Sequence, residues 1–377
     1  MYHPIKEKNM QELAGYQIRL RSHPRLRYLF FELTDKCNLN CRHCGSACTG
    51  NNDTYLDVAV VSKVMKEVKE KYGTSDLMIC LTGGEPLLHP DAVKVIAEAR
   101  ALGFPVGMTT NGTLIDSDTA KKLVLSGLDT IAVSLDGLGR THDEFRVATG
   151  SFDKAVQGIH FLKEYGLEPE VLTVVHKGNY GQLEEMYHFL RSEDIYSWRL
   201  VNVEPIGRAL GNPELLLSPG EMKGLLDFIR EKRFDNENDM EVTYGCSHFT
   251  SYEYENEIRD YYFQCGAGTF VAGIMADGSI GACLDIERRK DLVQGNVYQD
   301  SFTEVWENRF EVFRRDRSAD SSTCRSCGYR GVCLGDSAHT WDYDENEPRY
   351  CLMKGLIEGN DRYCPRCGED SINEIEN

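Results

Sequence analysis

Residues 28–44 read YLFFELTDKCNLNCRHC, and the rest of the chain is interpreted from this stretch. Its first half, Tyr28–Thr34, is an apolar, aromatic run suited to a buried strand. Its second half sets Cys37, Cys41 and Cys44 in a C-x3-C-x2-C spacing. Three thiolates from one short loop suit three corners of a cubane iron–sulfur cluster and leave the fourth iron without a protein ligand. A structural zinc site would close its own tetrahedron with four ligands. Chance produces such a triplet often enough in a cysteine-rich chain that the context must carry the reading.

Working outward, residues 28–205 alternate between short β-rich runs and helical stretches. Strands are predicted at Tyr28–Thr34, Leu77–Thr82, Phe104–Thr110, Thr130–Leu135, Pro169–His176 and Ser197–Glu204. Helices are predicted between them at Val58–Tyr72, Asp91–Leu102, Asp118–Leu125, Phe152–Tyr165 and Leu183–Arg191. The first helix gathers Val60, Val61, Val64, Met65 and Val68 on one face and stops at Gly73. Repeated strand–helix units imply a parallel sheet with right-handed crossovers. Six units predict an α/β fold: a partial (β/α)6 TIM-type barrel, open on one side. In such folds ligands sit at the C-terminal ends of the strands. There the sequence places Cys37–Cys44, then Gly83-Gly84-Glu85-Pro86, Asn111-Gly112 and Asp136-Gly137.

The expected organisation is an N-terminal extension at 1–27, the barrel at 28–215, a linker helix at 216–243 built on Pro219–Lys232, and a loop-rich, Cys-rich domain at 244–377. Fourteen cysteines without a secretory signal argue for metal ligation in a reducing cytoplasm rather than a disulfide framework. The formal charge of −18 argues against nucleic-acid binding, and no apolar run is long enough to suggest a membrane helix. Acidic clusters at Asp235–Glu241, Glu253–Glu257 and Asp342–Glu347 read as a solvated surface. The chain has no Walker A loop, complete GxGxxG, HExxH or nucleophile elbow.

The cysteine loop, followed in order by Gly83-Gly84-Glu85-Pro86, Thr110-Asn111-Gly112 and Val133-Ser134-Leu135-Asp136-Gly137, resembles the radical S-adenosylmethionine (SAM) superfamily. The resemblance implies that Cys37, Cys41 and Cys44 hold a [4Fe–4S] cluster whose open iron chelates SAM. His43 lies where that family usually has an aromatic residue. Gly83, Gly84, Glu85 and Pro86 would form a turn facing the SAM amine, and Ser134 and Asp136 would lie near the ribose hydroxyls. Arg146 would pair with the SAM carboxylate, and Asn111 is a further candidate for cofactor contact. An electron donor such as flavodoxin or ferredoxin is implied. No side chain is assigned a catalytic role.

In the C-terminal third, Cys324-x2-Cys327-x5-Cys333 followed by Cys351, with Cys265 and Gly278-x4-Cys283 upstream, resembles the SPASM domain. That domain carries one or two auxiliary iron–sulfur clusters in peptide-modifying radical SAM enzymes. The resemblance implies that Cys324, Cys327, Cys333 and Cys351 ligate one cluster fully; a structural zinc knuckle is the alternative. The family pattern has another cysteine four residues after Cys333, and this chain has Ser337. The second site, with Cys265 and Cys283, therefore lacks a ligand. Cys246, Cys364 and Cys367 are candidates to complete it; an open iron that binds substrate, and a smaller or absent cluster, are the alternatives. Cys80 reads as a core residue and Cys48 is unassigned. Asp285, one position later than the aspartate that serves as a base in sulfatase-maturing relatives, reads as a surface carboxylate.

Taken together, the resemblance implies an enzyme that abstracts hydrogen from a peptide or protein substrate, giving a crosslink, a dehydrogenation or an epimerisation. With no obvious recognition domain ahead of the barrel, peptide recognition is expected to rest on the SPASM region or on a separate partner protein. Oxidation of a small molecule, or sulfatase-maturase activity, is a second enzymatic reading. A non-catalytic metal-binding scaffold is the reading from another class.

Overall fold

The structure is a computed structural model describing residues 4–245 and 248–358. The six predicted strands form β1 (Tyr28–Glu32), β2 (Met78–Thr82), β3 (Val106–Thr110), β4 (Thr130–Ser134), β5 (Glu170–Val175) and β6 (Ser197–Asn202), all parallel and paired in sequence order. Crossover helices follow each strand: α2 (Val58–Tyr72), α3 (Ala92–Leu102), α4 (Ser117–Leu125), α6 (Ser151–Glu164), α7 (Leu183–Ser192) and α8 (Pro219–Phe234), with the short α5 (Arg140–Arg146) ahead of α6. The α2 limits match the sequence reading. Asp57 caps its first turn by accepting the Ala59 N–H at 2.7 Å, and Gly73, with φ +76°, ends it.

Burial has a two-residue period in β1, β2, β5 and β6, whereas the central β3 and β4 are buried along most of their length. Leu29, Phe31, Ile79, Leu81, Val171, Thr173, Trp198 and Leu200 are buried under the helices, whereas Phe30, Cys80, Leu172, Val174, Arg199 and Val201 face the other way and are only half-buried. The inward face is thus incompletely filled, as an open partial barrel requires. Cys80 belongs to this inward face rather than to the closed core.

The sheet continues beyond the six expected strands. β7 (Glu241–Tyr244) pairs parallel with β6, and β8 (Val271–Ile274) pairs parallel with β1 at the opposite edge. β9 (Ser279–Gly281) and β10 (Gly295–Asn296) extend that edge antiparallel, giving ten strands in one sheet among the described residues. The Cys-rich region is therefore hydrogen-bonded directly to the first barrel strand. Glu32, buried at the end of β1, accepts from Arg288 and from the Ala276 N–H, tying the two regions together at that edge.

The N-terminal stretch, read as an extension, is a helix, α1 (Pro4–Ser22). Its Met10 packs with Phe249, Phe263, Val332 and Met353, and Lys6 and Arg21 reach Glu257 and Asp316. Only Met10, Ala14 and Leu20 are buried, which is too sparse a stripe to announce a helix in sequence. Among the described residues no helix is long and apolar enough to cross a membrane.

Candidate active site at the mouth of the barrel

The cysteine loop leaves β1 and is held by the loops that follow the neighbouring strands. The Gly84 N–H donates to Thr34 O at 2.7 Å and the Glu85 N–H to Lys36 O at 2.9 Å, prolonging the β1–β2 ladder into the loop. The contact tolerates no side chain. A Cβ on Gly83 would lie 2.6 Å from Thr34 O, and one on Gly84 would overlap Lys36 O and sit 2.9 Å from the Cys37 Cβ. Both glycines therefore serve to let two loops touch.

Glu85 is fully buried, and its carboxylate accepts from the Leu87 N–H, the Thr110 hydroxyl and the Asn111 N–H. Burial raises its pKa, and those hydrogen bonds oppose the rise. As placed, the carboxylate pins the end of β3 to the end of β2, and Pro86 opens a short 3₁₀ turn behind it. Asn111 donates to Asn38 Oδ1 at 2.9 Å, reaching into the loop between Cys37 and Cys41.

Arg208, which the sequence reading missed, clamps the other side of the loop. Its guanidinium donates to Cys41 O at 2.7 Å and Cys48 O at 3.1 Å, and its N–H donates to Cys44 O at 3.1 Å. Gly207 beside it, at φ +52°, packs directly on the Cys44 and Gly45 backbone. The sequence signal was faint: a Gly-Arg pair shortly after the sixth strand.

Arg146 and Asp136 form a buried ion pair, Nε to Oδ2 at 2.6 Å, and Arg146 Nη1 also lies 3.7 Å from the Cys41 sulfur. Burial would raise the Asp136 pKa, but the Arg146 charge, together with His43, His142 and the Val174 N–H, outweighs it and holds the carboxyl below its ordinary value. Asp136 Oδ1 accepts the Val174 N–H at 2.8 Å. Both of its oxygens are thus engaged by protein donors, and its effect on the site runs through Arg146. The Arg146 Nη2 has no partner among the described residues. Ser134 closes β4 with its hydroxyl likewise unpartnered among the described residues. His43 stacks on Phe145 (centroids 4.4 Å apart, planes 6° apart), and Phe145 stacks on His176 (3.8 Å, 10°), walling the site with flat rings. Burial, reinforced by the Arg146 charge, lowers the His43 pKa to about 3, so its ring is neutral.

The loop's thiols are free and packed with Leu39 and Cys48. Burial raises Cys37 to about 12 and also raises Cys41, whereas Cys44, hydrogen-bonded to Cys48 and facing Arg208, is drawn down to about 6. Cys37 and Cys41, neutral in an enclosed pocket, become thiolates once iron coordinates them, and the nearby guanidiniums favour that charge. The donor set, three thiols on one clamped loop, fits a cluster with one open iron.

The C-terminal quartet, Cys324, Cys327, Cys333 and Cys351, comes from short turns, and Cys324, Cys333 and Cys351 each feel the charge of others in the set. Asp336 stands beside them, held by the buried His248 (Nδ1 to Oδ2, 2.7 Å) and the Phe249 N–H. The other face of His248 lies 3.0 Å from Glu204 Oε1, an ion pair outside hydrogen-bond geometry, and Glu204 Oε2 binds His339 Nε2. Cys265 accepts the Ala338 N–H at 3.3 Å, and Cys265 and Cys283 both lie near Tyr343. Asp285 is solvent-accessible yet ringed by protein, as in a walled recess, and this enclosure raises its pKa. Its Oδ1 lies close to Gly45, within van der Waals reach (3.5 Å) of a Cβ placed there. The recess is therefore bounded by the first cysteine loop on one side and the Cys-rich region on the other. Cys246, Cys364 and Cys367 lie outside the described residues.

Sequence models of the radical SAM superfamily and of the iron–sulfur cluster-binding SPASM domain match residues 31–190 and 265–328. The chain belongs to the radical SAM superfamily and carries a SPASM domain; these domains bring with them a [4Fe–4S] cluster, SAM and auxiliary iron–sulfur clusters. Among its relatives, the AdoMet-dependent heme synthase of Methanosarcina barkeri is 27% identical over 356 residues, covering 89% of this chain and 99% of that one. The mycofactocin maturase MftC of Mycolicibacterium smegmatis is 28% identical over 313 residues, covering 81% and 76%. Among solved structures, Streptococcus suis SuiB bound to S-adenosylmethionine superposes with a TM-score of 0.72 at 19% identity, covering 93% and 83% of the two chains. Native anSMEcpe with bound AdoMet and a Cp18Cys peptide gives 0.67 at 21% identity, covering 86% and 92%.

Proposed function

We propose that this radical SAM enzyme abstracts a hydrogen atom from a peptide or protein substrate, ending in a crosslink, a dehydrogenation or an epimerisation. With its cluster and SAM bound, the chemistry supplied is reductive cleavage of SAM to methionine and a 5′-deoxyadenosyl radical. Cys37, Cys41 and Cys44 would hold the cluster. Arg146, oriented by Asp136, would offer Nη2 to the SAM carboxylate, and Ser134 and the Asn111 turn would line the cofactor. Gly83 and Gly84 keep the loops close enough to shut water out, and the His43–Phe145–His176 stack supplies a flat apolar wall. Cys324, Cys327, Cys333 and Cys351 would carry an auxiliary cluster. A flavodoxin or ferredoxin would supply the electron in a cytoplasmic setting.

The observation that carries the peptide reading is the charge of the recess. Asp285 opens onto it beside Gly45, the buried Glu204 is paired with His248 and His339, Arg208 and Arg288 spend donors on protein acceptors, and the whole chain carries −18. Such a surface suits neutral or cationic peptide and repels a polycarboxylate. The heme-synthase relatives favour a second reading, a tetrapyrrole substrate. Anaerobic turnover with Fe-coproporphyrin III on one side, and with short peptides encoded beside this chain on the other, separates the two. Substrate-dependent 5′-deoxyadenosine with a mass change in a peptide supports the first. Saturable porphyrin binding with loss of carboxylate from the porphyrin overturns it.

A further inference from the structure

The site built on Cys265 and Cys283 is short of a thiolate because Ser337 stands where the family pattern has a cysteine. The same turn brings another donor to it. The Ala338 N–H is on the Cys265 sulfur at 3.3 Å, and the next residue, His339, is close enough for its ring to feel the Cys265 and Asp285 charges. His339 Nε2 is engaged by Glu204 Oε2, and the Glu204 carboxylate is itself braced by the buried His248. The other ring nitrogen, Nδ1, has no partner among the described residues, on a side chain that is 12% exposed. A histidine with one ring N–H held by a buried carboxylate and the other nitrogen left unpartnered by protein is the arrangement that metal-ligating histidines use, because the carboxylate fixes the tautomer and raises the ring's basicity.

We propose that His339 Nδ1 is an iron ligand of the auxiliary cluster held by Cys265 and Cys283, replacing the thiolate that Ser337 cannot supply. An Fe–N bond forms from the Nδ1 lone pair. Any proton on that nitrogen leaves to the recess, Nε2–H stays on Glu204, and no electron is transferred. The donor set mixes thiolate with imidazole, which raises a cluster's reduction potential relative to an all-thiolate one. Among the described residues no three donors converge on a single ion, and a cubane instead spreads its ligands over separate corners. The inference concerns ligation alone and stands whichever substrate the enzyme takes.

The test uses the full chain with Cys37, Cys41 and Cys44 replaced by alanine, so that only auxiliary clusters contribute, reconstituted anaerobically and reduced. Pulsed EPR should detect a directly coordinated nitrogen, and uniform labelling of histidine with ¹⁵N should shift that coupling. His339→Ala should abolish the coupling and lower the iron content by up to about four atoms per chain. Adding Ser337→Cys to His339→Ala should restore the iron without the nitrogen signal, which separates loss of a ligand from misfolding. An unchanged iron content and spectrum in His339→Ala would overturn the proposal. So would a nitrogen coupling that survives the substitution.

Discussion

Two cysteine sites in this chain are built on opposite plans. In the first, Cys37, Cys41 and Cys44 come from one loop whose position is set by a finished sheet: Gly83 and Gly84 press on its start, Asn111 grips Asn38, and Arg208 binds its carbonyls. In the second, Cys324 to Cys351 are scattered over four-residue helices and turns, such as Ser322–Arg325 and Arg330–Cys333. Glu347, which accepts from the Ser321 hydroxyl and from the Ser322 and Thr323 N–H groups, and Asp336 help to bind those turns together. The scaffold positions the first site. At the second, a bound cluster would take the place of a scaffold, because such short elements bury too little apolar surface to hold themselves.

The contrast can be broken by substitutions that should affect one site and spare the other. The largest effect is expected from Gly84→Val. Its side chain would collide with Lys36 and Cys37, so the first cluster should be lost and SAM cleavage should fall at least about a thousandfold, with the fold kept by circular dichroism. Retained cleavage would show that the clamp is dispensable. Cys333→Ala should do the reverse: a melting temperature lower by about 10 °C or more in the iron-loaded protein, since ligation there stands in for a core. Differential scanning calorimetry checks it, and an unchanged transition would equate the two sites. Arg208→Ala removes half-buried charge-assisted hydrogen bonds worth about 1.5–3 kcal/mol each and should lower SAM cleavage about tenfold or more, with weaker iron retention at the first loop only.

The smallest effect concerns pH. Burial lowers His142 and His176 to about 4, against about 6.5 in the unfolded chain. Below pH 6.5 the unfolded state binds more protons, so stability should fall as pH drops from about 6.5 towards 4 and should not depend on these groups above that window. His176→Gln should make this acid decline shallower in thermal melts. A parallel curve would mean that His176 is not held neutral.

The difference between the sites also explains what could be read without coordinates. The first loop, the six barrel strands and α2 rest on local patterns: a three-cysteine spacing, a two-residue alternation, and the Asp57 and Gly73 caps. α1 escaped because it buries only three residues, and β8 to β10 escaped because each is too short to show a period and depends on pairing with β1 or its neighbours. Arg208 and the Glu204–His248–Asp336 chain are contacts between segments far apart in sequence, which no spacing announces. Glu85 and Asp136 were legible as important residues, but their partners were not. Both carboxylates are taken up by backbone and side-chain donors that only the folded sheet ends bring to them.

The central claim is that the loop from Cys37 to Cys44 is where SAM is cleaved. Its most direct test is 5′-deoxyadenosine production by the anaerobically reconstituted, dithionite-reduced chain beside its Cys37→Ala, Cys41→Ala, Cys44→Ala variant. The account predicts product from the parent and none above background from the variant, with the C-terminal clusters still present by iron count. Equal product from the two proteins would contradict it.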